Sequence, residues 1–159
     1  MEKLMLNAIG EIKTDEGNFR VVLNKSYAKG LAGLEGFGHV SVLWWFSGCD
    51  SEDARSVLTQ PAPYKGGPAE LGTFATRSPL RPNPIAVSCA GVTYIDGENG
   101  ILGLTWIDAE DGTPVLDIKP YTPSLDRVEA PSVPEWCKGW PKSLEEASDF
   151  DWEGLVFTP

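Results

Sequence analysis

Arg77, Arg81 and Asn83 sit together in the run Leu-Gly-Thr-Phe-Ala-Thr-Arg-Ser-Pro-Leu-Arg-Pro-Asn-Pro (71–84). Two guanidiniums and an amide are a donor set suited to gripping a ligand. Each proline fixes its own φ and pushes the preceding residue toward extended backbone. Ser78, Arg81 and Asn83 all precede a proline, so these side chains stand on a stiff loop. The plainer alternative is a proline-rich surface loop with solvated arginines, and these residues alone leave both readings open. For Asn83 there is a further choice between meeting a ligand and holding the loop through backbone hydrogen bonds.

The second group is Asp-Ala-Glu-Asp-Gly-Thr-Pro-Val-Leu-Asp-Ile-Lys-Pro-Tyr (108–121). Strand alternation places Asp117 and Lys119 on one face and Ile118 on the other. On an open surface such a pair is worth under about 1 kcal/mol; inside a barrel mouth it becomes a polar pair in a pocket. Tyr121 or Lys119 would then touch substrate. The Asp108–Asp111 stretch is either a carboxylate-bearing binding loop or a solvated turn. His39, the single histidine, titrates near neutrality and suits a general base, but a lone histidine at the start of a buried strand is also an ordinary structural residue.

The elements that must position these groups are mostly short strands. Leu4–Ile9 reads as a short first strand and Phe19–Asn24, which alternates, as a second strand after the Asp15-Glu16-Gly17-Asn18 turn. Residues 26–36 suggest a helical turn with loop. His39–Phe46 is the most apolar run, as expected for a strand covered on both faces or lying near a subunit interface. Within it, Trp44 and Trp45 suit the core or that interface. Glu52–Leu58 suggests a short helix, followed by a Pro/Gly loop to Pro68 and a strand-like lead over Leu71–Thr76. Ile85–Ile95 is a long strand whose antiparallel partner is expected at Ile101–Ile107 across the Asp-Gly-Glu-Asn-Gly turn, and Pro114–Ile118 is another strand. Ser143 with Glu146 forms a capping box for a helix over Leu144–Phe150. Many short strands, turn signals and few helices predict an all-β, mainly antiparallel fold: a small barrel of about six to seven strands with short helical segments. The expected organisation is a barrel domain over residues 1–126 and a Pro/Trp-rich C-terminal tail over 127–159, packed on the barrel through Trp136, Trp140 and Trp152.

The chain has 159 residues, with 13 basic and 23 acidic side chains and a net charge of −10. That balance opposes non-specific nucleic-acid binding, which draws on phosphate neutralisation. Between Ser56 and Ser124 the only basic residues are Lys65, Arg77, Arg81 and Lys119, enough for a small basic site on an acidic protein. Cys49, Cys89 and Cys137 are odd in number and lack Cys-x-x-Cys spacing, which argues for reduced thiols in a cytoplasmic setting and against zinc. Cys89 itself reads as a small apolar core residue. No apolar run reaches the roughly 20 residues of a membrane helix, and the first residues do not form a signal peptide. A Gly-rich strand-to-helix turn of Rossmann type is missing.

Residues 74–85 and 111–121, with Gly-Leu-Glu-Gly-Phe-Gly-His-Val (33–40), resemble the TrmO/TsaA-like family over roughly Leu6 to Asp126. The resemblance implies a small β-barrel, usually homodimeric, that binds S-adenosylmethionine near the subunit interface and methylates N6 of threonylcarbamoyladenosine beside the tRNA anticodon. Carried over residue by residue, the cofactor-contacting positions are Ser47, Gly48, Arg77, Cys89, Asp108, Ala109, Glu110 and Asp111. Arg77 would meet the cofactor's carboxylate, and Asp108 and Asp111 would accept from its ribose hydroxyls or amino group. Arg81, Asn83, Asp117, Lys119 and Tyr121 remain as catalytic candidates. Longer members carry a Ser-Pro segment followed by Pro-Arg-Gln where this chain has Ile12–Asn18, so a short form without that segment and without the further C-terminal domain is expected. Two alternatives stay open: a non-catalytic module that binds S-adenosylmethionine or a nucleotide, and a methyltransferase acting on a smaller substrate.

Overall fold

Glu16 and Gly17 adopt φ of 48° and 82°, the mirror-image turn whose twist matches an antiparallel pair. β1 (Gly10–Asp15) therefore folds straight back into β2 (Asn18–Leu23). The computed structural model describes residues 4–155, and the remaining strands follow as β3 (His39–Trp45), β4 (Thr59–Pro61), β5 (Glu70–Gly72), β6 (Ile85–Asp96), β7 (Ile101–Leu104) and β8 (Pro114–Pro120). Six of them close an antiparallel barrel in the order β1-β2-β7-β6-β3-β8. Closure between β8 and β1 rests on Gly10 opposite Val115 and Glu11 opposite Pro114, extended by Ile12 N donating to Thr113 O at 2.8 Å.

Alternation fills the barrel. Ile12, Val21, Val40, Val42, Leu102 and Val115 are wholly buried, each contributing about 1.5–3 kcal/mol of apolar transfer. Trp44 joins them, its indole Nε1 donating to Ser88 Oγ at 3.0 Å. Ile107, from the β7–β8 connection, belongs to the same core. The antiparallel order brings the end of β3, the start of β6, the β1–β2 hairpin and the β7–β8 connection to one end of the barrel.

The chain divides into two compact units, each discontinuous in sequence: residues 1–51 with 83–127, which hold the barrel, and residues 52–82 with 128–159. The last break falls one residue past the boundary expected after 126. The first removes residues 52–82 from the barrel unit. In the second unit β4 pairs with β5, and Tyr64 stacks on Trp136 (5.3 Å, 15°) and meets Trp140 edge-on at 5.1 Å. Trp140 in turn contacts Trp152 at 5.6 Å, and Lys65 Nζ donates to Gly154 O at 2.8 Å. The tail's tryptophans thus have their described partners around Tyr64.

Several sequence expectations are corrected. Leu4–Ile9 is not a strand; Leu4 and Met5 are 92% and 89% exposed, because barrel pairing begins at Gly10. Leu71–Thr76 splits into the end of β5 and a single 3-10 turn (Thr73–Ala75). The expected Ile101–Ile107 strand ends at Leu104, where Thr105 N donates to Gly91 O and Thr105 Oγ1 accepts from Gly91 N. The capping box forms in a shifted version. Ser143 Oγ accepts from Glu146 N at 3.2 Å, whereas Glu146 Oε2 accepts from Lys142 N rather than from Ser143, and the helix stops at Ser148.

Candidate functional site

Arg77 and Arg81 belong to the second unit, and the structure gives them different surroundings. Arg77 is exposed, with no hydrogen bond or ion pair among the described residues. Arg81 is half-buried and turned into its own loop. Its Nε donates to Ser78 O at 2.8 Å, and its Nη2 donates to Thr73 O at 3.0 Å and Thr76 O at 2.6 Å. Thr73 and Thr76, both buried, carry the anchoring further: Thr73 Oγ1 donates to Val57 O and Thr76 Oγ1 to Thr73 O. Sequence reasoning missed these threonines. Their signal was two small hydroxyl residues three apart at the start of the loop, able to bond local carbonyls.

In the barrel unit the candidates fall into two groups. Ser47 and Gly48, exposed in a 3-10 turn after β3, share one barrel end with Asn83, before β6, and with the Asp108–Asp111 connection. Asn83 O accepts from Ile85 N at 2.7 Å. Asp111 anchors that connection to β1: Oδ1 accepts from Thr14 N at 3.0 Å, and Oδ2 lies 3.6 Å from Lys13 Nζ. Lys13 is held above its ordinary pKa, chiefly by its hydrogen bond to Glu11 and also by Asp111. Asp108 and Glu110 stay exposed and Ala109 packs against the core.

The second group stands on the outer wall of β6-β3-β8. Strand register places Val87, Leu43 and Asp117 in one row and Cys89, Ser41 and Lys119 in the next. Val40 and Val42 point inward, so the intervening Ser41 and Leu43 point out, and their cross-strand neighbours share that face. Asp117 and Lys119 do share a face opposite to Ile118, but they lie on the wall rather than in a mouth. Cys89, expected as a core residue, is half-buried on this wall. Trp45 also faces outward, its Nε1 donating to Asp50 Oδ2 at 3.2 Å.

Lys119 Nζ lies 2.6 Å from Asp117 Oδ2, and this hydrogen bond raises the lysine pKa above 10.5. The side chain is therefore an ammonium at neutral pH, able to donate or attract an anion but not to accept a proton. Asp117 Oδ1 also accepts from Ile118 N at 2.9 Å. Tyr121 is half-buried, its N donating to His39 O at 3.0 Å and its ring edge-on to His39 at 6.4 Å. His39 is exposed. No group of three His, Cys, Asp or Glu side chains among the described residues has metal-binding geometry.

The model of the tRNA-methyltransferase O N-terminal domain matches residues 10–127. The chain belongs to this family. An S-adenosyl-L-methionine-binding protein of Archaeoglobus fulgidus is 39% identical over 108 residues, covering 68% of this chain and 72% of that protein. The tRNA (adenine(37)-N6)-methyltransferase of Escherichia coli is 36% identical over 121 residues, covering 75% of this chain but 51% of its own length. A crystal structure of TrmO from Pseudomonas aeruginosa superposes with a TM-score of 0.63 at 29% identity, over 82% of this chain and 62% of that one. The chain thus spans about half to three-quarters of these relatives. The family match takes in both candidate groups and the arginine loop.

Proposed function

We propose that the protein is an S-adenosylmethionine-dependent methyltransferase acting at N6 of an adenosine in tRNA, with threonylcarbamoyladenosine as the acceptor. The observation that carries this reading is the family match over 10–127, which holds every candidate residue, together with a relative named as a tRNA (adenine(37)-N6)-methyltransferase. The donor set fits the cofactor's chemistry. An exposed, unengaged Arg77 suits a carboxylate, in bidentate geometry. Asp108 and Glu110 are exposed carboxylates that suit ribose hydroxyls, while Ser47 and Gly48 offer backbone and hydroxyl groups at the same barrel end. Asp111, tied to Thr14, acts here by fixing the connection. When bound, S-adenosylmethionine supplies a methyl group on a sulfonium centre, and the protein's part is to hold that group in line with the acceptor amine.

The outer wall enters the proposal through a second copy of the chain. Val87 is 47% exposed beside Leu43 and Cys89, a half-apolar surface suited to a homodimer contact, with Asp117 and Lys119 at its edge. Dimerisation would bring these wall residues, with Tyr121, next to a partner's surface. A cytoplasmic location follows from tRNA as the substrate.

A non-catalytic binding module is the second reading. It is favoured by relatives named only as S-adenosyl-L-methionine-binding proteins and by Lys119, which is unfit as a base. Isothermal titration with S-adenosylmethionine tests both readings, since no heat at millimolar cofactor would remove them together. Methyl incorporation into unfractionated tRNA, with Arg77→Ala as control, then separates them: incorporation lost in the variant supports the enzyme, and binding without incorporation supports the module.

A further inference from the structure

We infer that Arg81 is a positioning residue, whose guanidinium fixes the loop backbone on both sides of Arg77 so that Arg77 meets the ligand's carboxylate in one orientation. The inference rests on the reading above that Arg77 contacts that carboxylate. Of the three carbonyls Arg81 holds, Thr76 O immediately precedes Arg77 and Ser78 O belongs to the residue that follows it. The third, Thr73 O, opens the 3-10 turn leading into the loop. Further bonds close the same knot: Ser78 N donates to Thr76 Oγ1 at 3.3 Å and Leu80 N to Ser78 Oγ at 3.2 Å. The knot is moored to residues 57 and 58 by Thr73 Oγ1 donating to Val57 O and Thr73 N to Leu58 O.

Three carbonyls converging on one side chain need a planar, multi-donor fork; a lysine ammonium offers donors without that fixed geometry. The arrangement leaves Arg81 without the orientation to greet a ligand, while Arg77, one residue from each clamp point, projects with its donors unengaged. A loop ordered before binding loses less conformational freedom on binding. Arg81 therefore acts on the ligand only through Arg77, and its removal should be felt only by ligands that Arg77 touches.

The test uses the full chain, its Arg77→Ala, Arg81→Ala and Arg81→Lys variants and the double alanine variant, titrated with S-adenosylmethionine and with methylthioadenosine, which keeps the nucleoside and the methylated sulfur as a neutral thioether but lacks the whole amino-acid arm, carboxylate included. Arg81→Lys serves where Arg81→Ala fails to give a native melting transition. The expected result is a loss of S-adenosylmethionine affinity of roughly tenfold in either Arg81 variant, no change for methylthioadenosine, faster amide exchange across residues 73–81, and a double variant no weaker than Arg77→Ala alone. Equal losses for both ligands, additive losses in the double variant, or unchanged exchange with lost affinity would each overturn the positioning role. If the unsubstituted chain binds S-adenosylmethionine no more tightly than methylthioadenosine, the role of Arg77 fails and this inference with it. If it binds neither ligand, the functional reading itself fails and the inference falls with it.

Discussion

Arg77→Ala is expected to weaken S-adenosylmethionine binding by about ten- to a hundredfold, the equivalent of the ~1.5–3 kcal/mol carried by hydrogen bonds to a charged group. Its melting temperature should not move, because the side chain is exposed and makes no contact that the fold uses. Titration calorimetry and a thermal melt on the same sample check the two halves of that statement. Lys119 makes the opposite case. Its hydrogen bond with Asp117 raises its pKa above 10.5, so the pair's contribution is fully present below that pH and is lost only as the pH rises beyond it. A pH–rate profile for methyl transfer should therefore keep its neutral limb in Lys119→Arg; a limb that shifts with that substitution would make Lys119 the titrating group. At this scale the sequence pointed to residues able to carry chemistry but not to how each is held. Arg77 and Arg81 look equivalent in a proline-rich string. Only the folded loop gathers Ser78, Thr73 and Thr76 carbonyls around one of them, and no residue type encodes where a backbone carbonyl will point.

At the scale of elements, Gly10 is where the barrel closes, flanked by Leu23 and Val115. A Cβ there would lie 2.7 Å from Leu23 Cα and closer still to Val22 O, both backbone atoms of the paired strand that cannot swing aside. Gly10→Ala should cost about 1–3 kcal/mol, as overpacking does, read as a lower melting temperature, whereas the same change at Gly48, where a Cβ meets nothing within 4 Å, should be silent. The β1–β2 hairpin carries an acid-sensitive contribution. Arg20 donates to both oxygens of Asp15 and holds that carboxyl below its ordinary 3.8. A depressed acid stabilises the fold above its unfolded pKa and ceases to do so as pH falls through its folded value. Asp15→Asn should therefore melt lower than the unsubstituted chain at neutral pH, with the gap narrowing as the pH drops below 3.8. The turn at residues 15–18 with the strand that follows it, the β6–β7 pair and the Ser143 half of the cap were legible because each is written in adjacent residues, whereas β1 itself was not expected. The false strand at Leu4–Ile9 shows the limit: a short, mostly apolar run describes a willing strand, and pairing depends on a neighbour that the local sequence does not contain. The second unit was illegible for the same reason, since Tyr64 meets Trp136 and Trp140 across some seventy residues of chain.

For the whole molecule, the decisive number is the charge of −10. A protein that places tRNA against itself gains affinity from each phosphate it neutralises, and the logarithm of affinity falls with the logarithm of salt by about 0.7–0.9 per contact. Few cations are available for this. In the barrel unit Lys13, Arg20 and Lys119 are already paired with carboxylates, which leaves residues such as Lys25 and Lys29 on the exposed turn after β2. A tRNA complex built on so few contacts should show a shallow salt slope, roughly 2 to 4 in magnitude, with specificity supplied by the modified base rather than by the backbone. Filter binding of tRNA from 50 to 300 mM salt, run beside methyl incorporation at each point, checks this directly at about those concentrations. A slope in that range with turnover falling in parallel supports tRNA as the acceptor. S-adenosylmethionine binding with no methyl incorporation into tRNA at any of these salt concentrations leaves a small acceptor, because a nucleoside carries no phosphate backbone whose counterions must be released; a steep slope would require basic residues beyond those the barrel displays, such as Lys142 in the second unit, or a second copy of the chain.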